Sequence, residues 1–229
     1  GVLVNDNGVG TFEDCDIYGN TLAGIEVREG GNPTVTGCKI HDGKAGVYVN
    51  DNGVGTFEDC EIYENTSSEI RVKTGGNPTV TGCEIHDGKD GGVFVYDNGT
   101  GKFADCEIYG NTIAGIEVRE GGNPTVTGCK IHDGKQGGVL VNDNGAGTFE
   151  DCEIYGNTLS GIEVREGGNP TVTGCKIHDG KEGGVYVHDK GKGTFINNTL
   201  SNNYLNGKIT NWDIHKDCTV TRRGNTPNE

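Results

Sequence analysis

A repeat of 22 to 23 residues runs through most of the chain and constrains its fold more than any other feature. Isoleucine, valine and phenylalanine recur in columns with this step, and the cysteines mark it most clearly. They stand at Cys15, Cys38, Cys60, Cys83, Cys106, Cys129, Cys152 and Cys175. Such a period indicates a repeat architecture, in which each unit buries its apolar face against the next unit.

Within each repeat, apolar and polar residues alternate, as in Gly-Ile-Glu-Val-Arg at residues 24–28. Alternation is the period of a strand and not of a helix. A propeller blade needs about 40 residues, whereas this unit is roughly half as long. The sequence therefore predicts an all-β, single-stranded parallel β-helix with about nine coils of 22–23 residues and three short strands per coil. Parallel crossovers are almost always right-handed, so we expect that hand.

The repeat loses its register near the C-terminal end. Asn198 stands where the next cysteine is expected, and the apolar residues after it are loosely spaced. We expect a β-helix array over residues 1–195, followed over residues 196–229 by a degenerate last coil, a C-terminal cap and a tail. Trp212 is expected to help cover the open end of the array. Because the chain begins inside a repeat and contains no methionine, it is interpreted as a fragment of a larger protein.

Charge and cysteine usage bound the partners and the environment. The 34 acidic and 19 basic residues leave a net charge of −15, which disfavours nucleic acid and anionic membranes as partners. No apolar run is long enough to span a membrane. The cysteines form no CxxC pair, and stacked cysteines point the same way, so we predict reduced structural thiols without zinc or disulfides. Reduced thiols favour a cytoplasmic location.

Two motifs are interpreted as corners of the coil. One is a His-Asp pair that alternates with tyrosine from coil to coil. Aspartate directly after histidine on a turn does not give a catalytic geometry, so we predict stacked outer turns and no catalytic residues. The other motif is an invariant glycine, most simply explained by a turn with positive φ. The pairs begin at His41, His86, His132 and His178, and the glycines are Gly8, Gly31, Gly53, Gly76, Gly99, Gly122, Gly145, Gly168 and Gly191.

Two files of carboxylates are candidates for Ca²⁺, although solvated surface charge explains them as well. Like charges on neighbouring strands repel each other, and a bound cation would relieve that repulsion. No metal ligand is therefore assigned from the sequence, and Ca²⁺ is kept as a candidate cofactor. The first file runs through Asp6, Glu29, Asp51, Asp97, Glu120, Asp143, Glu166 and Asp189, and the second contains Glu61, Glu84 and Glu107.

One outward strand face has the composition of a recognition surface, because aromatic and cationic side chains alternate along it. The repeat also departs from its consensus here, since residues 67–74 read SSEIRVKT where residues 22–29 read LAGIEVRE. Cross-strand pairing that merely stabilises a sheet is the alternative explanation. The candidate binding residues are Tyr48, Arg71, Lys73, Phe94, Tyr96 and Arg119.

The segment GGNPTVTGCKIHDGK at residues 30–44, together with GGVLVNDNGAGTFEDCEIYGNTLSGIEV at residues 137–164, resembles right-handed parallel β-helix repeats of the pectin-lyase-like superfamily. It is most similar to the carbohydrate-binding and sugar-hydrolase type of repeat, found in an F-box substrate-recognition region and in bacterial multi-repeat proteins. The resemblance covers residues 1 to about 200. It implies a protein-binding scaffold or a polysaccharide lyase, hydrolase or epimerase.

Two functions follow as hypotheses. The first is a non-enzymatic solenoid scaffold that binds a protein partner, favoured because near-identical repeats leave no unique place for an active site. The alternative is a carbohydrate-binding or polysaccharide-processing β-helix with possible Ca²⁺ dependence, using the aromatic and arginine face. Ice binding is a more distant alternative, suggested by the repeated threonines Thr34 and Thr36 and their copies.

Overall fold

The computed structural model describes residues 1–227 and shows a parallel β-solenoid of three long sheets. Two of the sheets have ten strands and the third has nine, so the chain makes about ten coils, close to the predicted nine. The predicted all-β class and the three strands per coil are confirmed. Within the described residues no helix is long and apolar enough to cross a membrane.

The three sheets are named here by the order in which the first coil enters them. Sheet 1 contains Val2–Val4, Ala23–Val27, Ala45–Val49, Ile70–Val72, Val93–Val95, Ile116–Val118, Val139–Val141, Ile162–Val164, Val185–Val187 and Trp212–Ile214. Sheet 2 contains Val9–Glu13, Asn32–Thr36, Thr56–Glu58, Thr79–Thr81, Lys102–Ala104, Thr125–Thr127, Thr148–Glu150, Thr171–Thr173, Lys192–Ile196 and Thr219–Arg223. Sheet 3 contains Asp16–Tyr18, Lys39–His41, Glu61–Tyr63, Glu84–His86, Glu107–Tyr109, Lys130–His132, Glu153–Tyr155, Lys176–His178 and Thr199–Ser201.

Equivalent residues of successive coils lie directly over one another. Ile70 pairs with Val47 on one side and with Val93 on the other, and Ile85 pairs with Ile62 and Ile108 in the same way. These apolar columns fill the interior, where most members have no exposed surface. Each coil alone has only a few apolar side chains, so burial against its neighbours supplies most of its stabilisation.

The cysteine column lies at the corner between sheets 2 and 3. All nine cysteines are free, and the seven from Cys38 to Cys175 are buried. The backbone N–H of Cys60 donates to Sγ of Cys83, 3.4 Å away in the next coil, and the Cys60 thiol donates to the carbonyl of Glu58 at 3.3 Å. The thiols therefore act as small buried groups that link coils through weak hydrogen bonds. The cytoplasmic location stays a prediction.

The prediction of positive φ at the invariant glycine is wrong. In each coil the positive φ falls on the residues just before it, as at Asp51 (45°) and Asn52 (61°) before Gly53. Glycine is needed for a different reason, because the backbone of the preceding coil passes too close for a side chain. A Cβ on Gly122 would lie 2.4 Å from the carbonyl oxygen of Val95.

Buried asparagines stabilise the corner between sheets 3 and 1 in every second coil. Oδ1 of Asn111 accepts a hydrogen bond from the backbone N–H of Gly88 at 3.0 Å, and its amide donates to the carbonyl of Ile85 at 3.1 Å. Asn157 makes the same two contacts one repeat further on. These side chains pair backbone groups that the corner removes from the sheets.

The segment after residue 196 completes another coil. A short antiparallel hairpin of Tyr204–Leu205 and Lys208–Ile209 precedes the last strands of sheets 1 and 2. The Trp212 ring packs edge-on against Phe195 with centroids 5.4 Å apart, and its Nε1 donates to the carbonyl of Pro227 at 3.2 Å. Trp212 therefore packs against the last phenylalanine of the phenylalanine and valine column, and its role as a cap stays a prediction. The proposed domain boundary near residue 195 stays a prediction.

Gly122→Ala should destabilise the solenoid by about 2–4 kcal/mol, because its Cβ would collide with backbone atoms that cannot rotate away. Gly19→Asn is the matched control, since nothing lies within 4 Å of a Cβ at Gly19 and asparagine tolerates its φ of 66°. Urea unfolding followed by circular dichroism measures both. Equal midpoints for the two variants would contradict the close-approach explanation.

Candidate functional site

The six candidate binding residues lie together on the outward face of sheet 1, and we call them the aromatic–basic cluster: Tyr48, Arg71, Lys73, Phe94, Tyr96 and Arg119. Strand pairing brings them together, because Arg71 lies between Tyr48 and Phe94 on the neighbouring strands. Lys73 and Arg119 belong to the next outward column, on either side of Tyr96. Residues 25 positions apart in sequence, such as Arg71 and Tyr96, therefore touch.

Phe94 is the centre of the cluster and is only 8% exposed, which differs from the exposed ring expected from the sequence. The Tyr96 ring stacks on it with centroids 4.2 Å apart, and the guanidinium carbon of Arg119 lies 4.6 Å from its centroid. The neighbouring long side chains cover the ring. Phe94 thus serves as a platform that orients Tyr96 and Arg119, which remain accessible.

Arg71 is surrounded by aromatic rings and has no acidic partner within residues 1–227. Its guanidinium carbon lies 5.6 Å from the centroid of Tyr48 and 5.5 Å from that of Tyr96, and Nη2 donates to the Tyr96 hydroxyl at 2.8 Å. Its buried Nε makes no hydrogen bond within residues 1–227. The charge is therefore held in position by rings and is left available to an anionic ligand.

The surroundings of the cluster favour the positively charged form of its lysine. A hydrogen bond to Tyr48 raises the pKa of Lys73, while burial raises the pKa of Tyr48 and keeps its hydroxyl protonated. Burial also raises the pKa of Glu117, whose Oε1 lies 3.8 Å from Nη1 of Arg119. A shallow depression of about 230 Å³ adjoins the cluster, lined in part by Tyr48, Arg71 and Lys44.

The unusual segment at residues 67–74 also places a carboxyl group inside the protein. Glu69 has no exposed surface and stands where other coils carry glycine, for example Gly115. Its carboxyl group accepts hydrogen bonds from the backbone N–H and the side-chain amide of Asn65. Burial nevertheless dominates and raises the pKa of Glu69 to about 8, so the group is mostly protonated at neutral pH.

A second group of titratable side chains, which the sequence analysis did not select, lies near the C-terminal end of the same face. We call Glu163, Tyr186, His188 and His215 the acid–base cluster. The rings of Tyr186 and His188 stack with centroids 4.3 Å apart, and His215 lies edge-on to Tyr186 at 5.5 Å. Nε2 of His188 lies 3.0 Å from Oε1 of Glu163, and Nδ1 lies 2.9 Å from Oδ2 of Asp189.

The acid–base cluster adjoins a depression of about 440 Å³, lined in part by Glu163, Tyr186 and Asp213. Burial raises the pKa of Tyr186 and keeps its hydroxyl able to donate a proton. Histidine, glutamate and tyrosine are among the side chains that transfer protons in enzymes. His215 could not be placed here from the sequence, because the repeat has lost its register before that residue.

The His-Asp motif behaves as a structural corner. Histidine and tyrosine rings of successive coils stack in one file, with His86 lying 5.2 Å from Tyr63 and 4.6 Å from Tyr109. In each pair Nδ1 of the histidine faces the following aspartate, which has a positive φ, as at His132 and Asp133. Stacking and local turn geometry account for this motif as a corner of the coil.

The two carboxylate files lie where strand stacking predicts. The first file occupies exposed turns with positive φ, such as Glu120 (50°), whose Oε1 lies 3.4 Å from Nε of Arg119. In the second, Glu61, Glu84 and Glu107 are paired on neighbouring strands of sheet 3. Glu61, Glu84 and His86 have ligand atoms within 4.8 Å of one another, which makes them a candidate metal-binding group.

The sequence model of a protein family, described as the right-handed β-helix region, matches residues 1–126 and 114–226 of this chain. The two matches together cover nearly the whole chain. The chain belongs to the right-handed β-helix family. This confirms the predicted hand and the resemblance to the pectin-lyase-like superfamily. A search of curated proteins gives no match.

Among solved structures, the β-helix is similar to the A-module of the mannuronan C-5 epimerase AlgE6 from Azotobacter vinelandii, at 19% identity and a TM-score of 0.69. That alignment covers 93% of this chain and 65% of the module. Pectate lyase Pel9A has 14% identity and a TM-score of 0.71, with 97% of this chain and 70% of the lyase aligned. The catalytic unit of a GH87 α-1,3-glucanase from Streptomyces thermodiastaticus has 16% identity and a TM-score of 0.60, with coverages of 97% and 64%.

These structures contradict the expectation that the chain is not an enzyme, because the folds it matches belong to polysaccharide-processing enzymes. At such identities the likeness establishes the fold, and the chain spans less than two thirds of the epimerase module. Near-identical repeats were expected to leave no unique place for an active site, and this expectation was wrong for a physical reason. Stacking constrains the inward side chains, whereas outward side chains can change in one or two coils without disturbing the core. A protein partner receives no support from these comparisons.

The protonation of Glu69 predicts a pH-dependent stability. The pKa of Glu69 is raised in the folded state. Its contribution to the free energy of unfolding is therefore fully present below about pH 4.5 and is lost as the pH rises towards 8. Glu69→Gln should therefore stabilise the protein by roughly 2–4 kcal/mol at pH 8 and change little at pH 4.5.

Thermal unfolding of the wild type and of Glu69→Gln between pH 4.5 and pH 8 measures this difference. Glu64→Gln is the control, because Glu64 is an exposed carboxylate in the same coil. A constant difference in melting temperature between wild type and Glu69→Gln across this pH range would show that Glu69 is ionised in the folded protein.

Proposed function

We propose that this β-helix binds and processes an acidic polysaccharide along the outward face of sheet 1. The observation that carries the proposal is the aromatic–basic cluster, in which Arg71 is held between aromatic rings without an acidic partner among the described residues. Guanidinium groups bind carboxylates through two parallel hydrogen bonds, and aromatic rings pack against the apolar faces of sugar rings. The cluster therefore offers both contacts that a uronic acid unit requires.

The charge distribution supports an anionic ligand. The chain carries a net charge of −15, yet Arg71, Lys73 and Arg119 lie together around Phe94 and Tyr96. Cations gathered on one face of an acidic protein attract a polyanion to that face and repel it from the rest of the surface. Mannuronan and pectate, which name the similar epimerase and lyase, are both polyuronates.

The shape of sheet 1 suits a polymer. Its ten parallel strands are about 4.8 Å apart, so Phe94 on the fifth strand and Tyr186 on the ninth lie roughly 20 Å from each other along one continuous face. A glycan of several units lying parallel to the solenoid axis would contact both clusters. The depressions beside Tyr48 and Tyr186 lie along this path.

We assign the chemical step to the acid–base cluster. Both nitrogens of His188 face carboxylates, which fixes the plane of its ring and places Tyr186 against it. In this proposal the Tyr186 hydroxyl donates a proton to the glycan and His215, at the edge of the tyrosine ring, accepts one. Lyase, epimerase and hydrolase reactions all require such proton transfers, and the class of reaction is left to assay.

Arg71→Gln should weaken binding of a polyuronate by about 10- to 100-fold, because one charge-assisted contact contributes about 1.5–3 kcal/mol. Arg28→Gln is the matched control, since Arg28 lies on the same face outside the cluster and pairs with Glu29. Affinity electrophoresis or calorimetry with polymannuronate and with a neutral α-glucan measures the effect. Equal binding of polymannuronate to wild type and Arg71→Gln would overturn the binding site.

Tyr186→Phe and His215→Gln should each lower turnover of a bound acidic polysaccharide by 10²- to 10⁴-fold, the usual contribution of a general acid or base. Binding should stay within about twofold, because the aromatic–basic cluster is unchanged. Turnover is read from unsaturated products, from new reducing ends and from the change in uronate stereochemistry. Tyr63→Phe is the control, since Tyr63 is an outward tyrosine of sheet 3. Unaltered turnover in both cluster variants would place the chemistry elsewhere.

A further inference from the structure

One coil of sheet 3 reverses the charge of a repeated position. Among the four coils whose His-Asp pairs begin at His41, His86, His132 and His178, three have lysine at this position. These lysines are Lys39, Lys130 and Lys176, and each pairs with a carboxylate residue on a neighbouring strand. In the remaining repeat the residue is Glu84, which lies between Glu61 and Glu107. Like charges on directly opposed strand positions destabilise a sheet. An arrangement of three stacked carboxylates therefore calls for a compensating positive charge.

The histidine of the same coil also differs from its copies. Nε2 of His41 lies 2.9 Å from Oδ1 of Asp16, and Nε2 of His132 lies 3.1 Å from Oε1 of Glu107. His86 is only 9% exposed, and its Nε2 is buried and makes no hydrogen bond within residues 1–227. A buried ring nitrogen without a partner is costly, and in a native protein it points to a missing ion or water.

The reason for this missing bond lies one strand away. The carboxylate of Glu61, which would receive Nε2 of His86 in the pattern of the other coils, is pulled towards Lys39, whose Nζ lies 2.8 Å from Oε2. Its other oxygen, Oε1, stays 3.5 Å from Nε2 of His86.

We propose that Glu61, Glu84 and His86 bind one divalent transition-metal ion, of which Zn²⁺ is the best fit. A carboxylate oxygen of Glu61, a carboxylate oxygen of Glu84 and a ring nitrogen of His86 all lie within 4.8 Å of one another. Ligands of a tetrahedral Zn²⁺ are about 3.5 Å apart, given metal–ligand bonds of about 2.0–2.2 Å. The exposed Glu84 side chain closes this difference by rotation, and solvent occupies the fourth position.

The surroundings of the three ligands match those of metal sites. Nδ1 of His86 lies 2.9 Å from Oδ2 of Asp87, which orients the ring and leaves Nε2 as the metal-binding nitrogen. An imidazole ligand favours Zn²⁺ and its neighbours in the transition series, whereas Ca²⁺ requires six to eight oxygen ligands. The structure thus favours a different ion from the Ca²⁺ considered for this file from its charges alone.

This site is independent of the proposed polysaccharide face. Glu61, Glu84 and His86 belong to sheet 3, and the aromatic–basic cluster belongs to the outward face of sheet 1. Loss of metal binding would leave the polysaccharide proposal standing, and loss of polysaccharide binding would leave the metal site standing. Metal binding can therefore be measured by itself, without a polysaccharide substrate.

The test is a titration of the chelator-treated, reduced full chain with Zn²⁺ by calorimetry, and with Co²⁺ by absorption spectroscopy. We expect one Zn²⁺ per chain and a Co²⁺ spectrum of nitrogen and oxygen ligands without a thiolate charge-transfer band. Glu84→Lys restores the residue of the other repeats, so it should fold normally and weaken binding by at least about 100-fold. His86→Gln should weaken it similarly, and Asp87→Asn by about 10- to 100-fold.

Glu58→Lys is the matched control, because it makes the same change of charge at an exposed position of the preceding coil, which also carries Glu61. It should leave Zn²⁺ affinity within about threefold of the wild type if the loss in Glu84→Lys comes from a lost ligand, since Glu58 is not a ligand and salt screens the interactions of exposed charges. The proposal is overturned if wild type binds no Zn²⁺, if Glu84→Lys and Glu58→Lys bind it equally well, or if the Co²⁺ spectrum shows thiolate ligands from cysteine.

Discussion

In-register stacking of equivalent residues on neighbouring coils is the constraint on which the rest of this structure depends. Each strand forms parallel hydrogen bonds with the copies of itself above and below, and each inward side chain packs on its own copies. The constraint acts on both the backbone and the core. It explains why Gly122 and its copies carry no Cβ, since the coils approach so closely there that only hydrogen fits against the carbonyl oxygen of the coil before.

Stacking separates the residues that must repeat from those that can vary. The inward positions and the tight corners repeat faithfully, whereas the outward columns tolerate substitutions in single coils. Residues 67–74 show how much one coil can change, because they introduce both the outward Arg71 and the buried Glu69 while Ile70 and Val72 stay in register. A repetitive chain can therefore carry a local site, and repetition is no argument against catalysis.

The same property explains how one solenoid can present unrelated surfaces. Sheet 1 exposes cations and aromatic rings at one place and titratable side chains at another. Sheet 3 exposes stacked carboxylates beside a buried imidazole. Neighbouring side chains on one face come from successive coils, so a site is built from residues 22 to 25 positions apart. A change in one coil therefore affects its own position and the equivalent positions of the coils before and after it.

The period, the alternation of apolar and polar residues and the corner residues determined the fold by themselves. Equivalent residues of successive repeats have one low-energy arrangement, in which each lies directly over the one before it. For the same reason the sequence placed Tyr48, Arg71 and Phe94 side by side. Side-chain conformation could not be read this way: Phe94 is covered by its neighbours, and His86 lacks the hydrogen bond that His132 makes because Glu61 is paired with Lys39. Nor could the sequence place His215, since the register ends before it. Only the tertiary structure decided these points, because they depend on which of several competing partners each flexible side chain contacts.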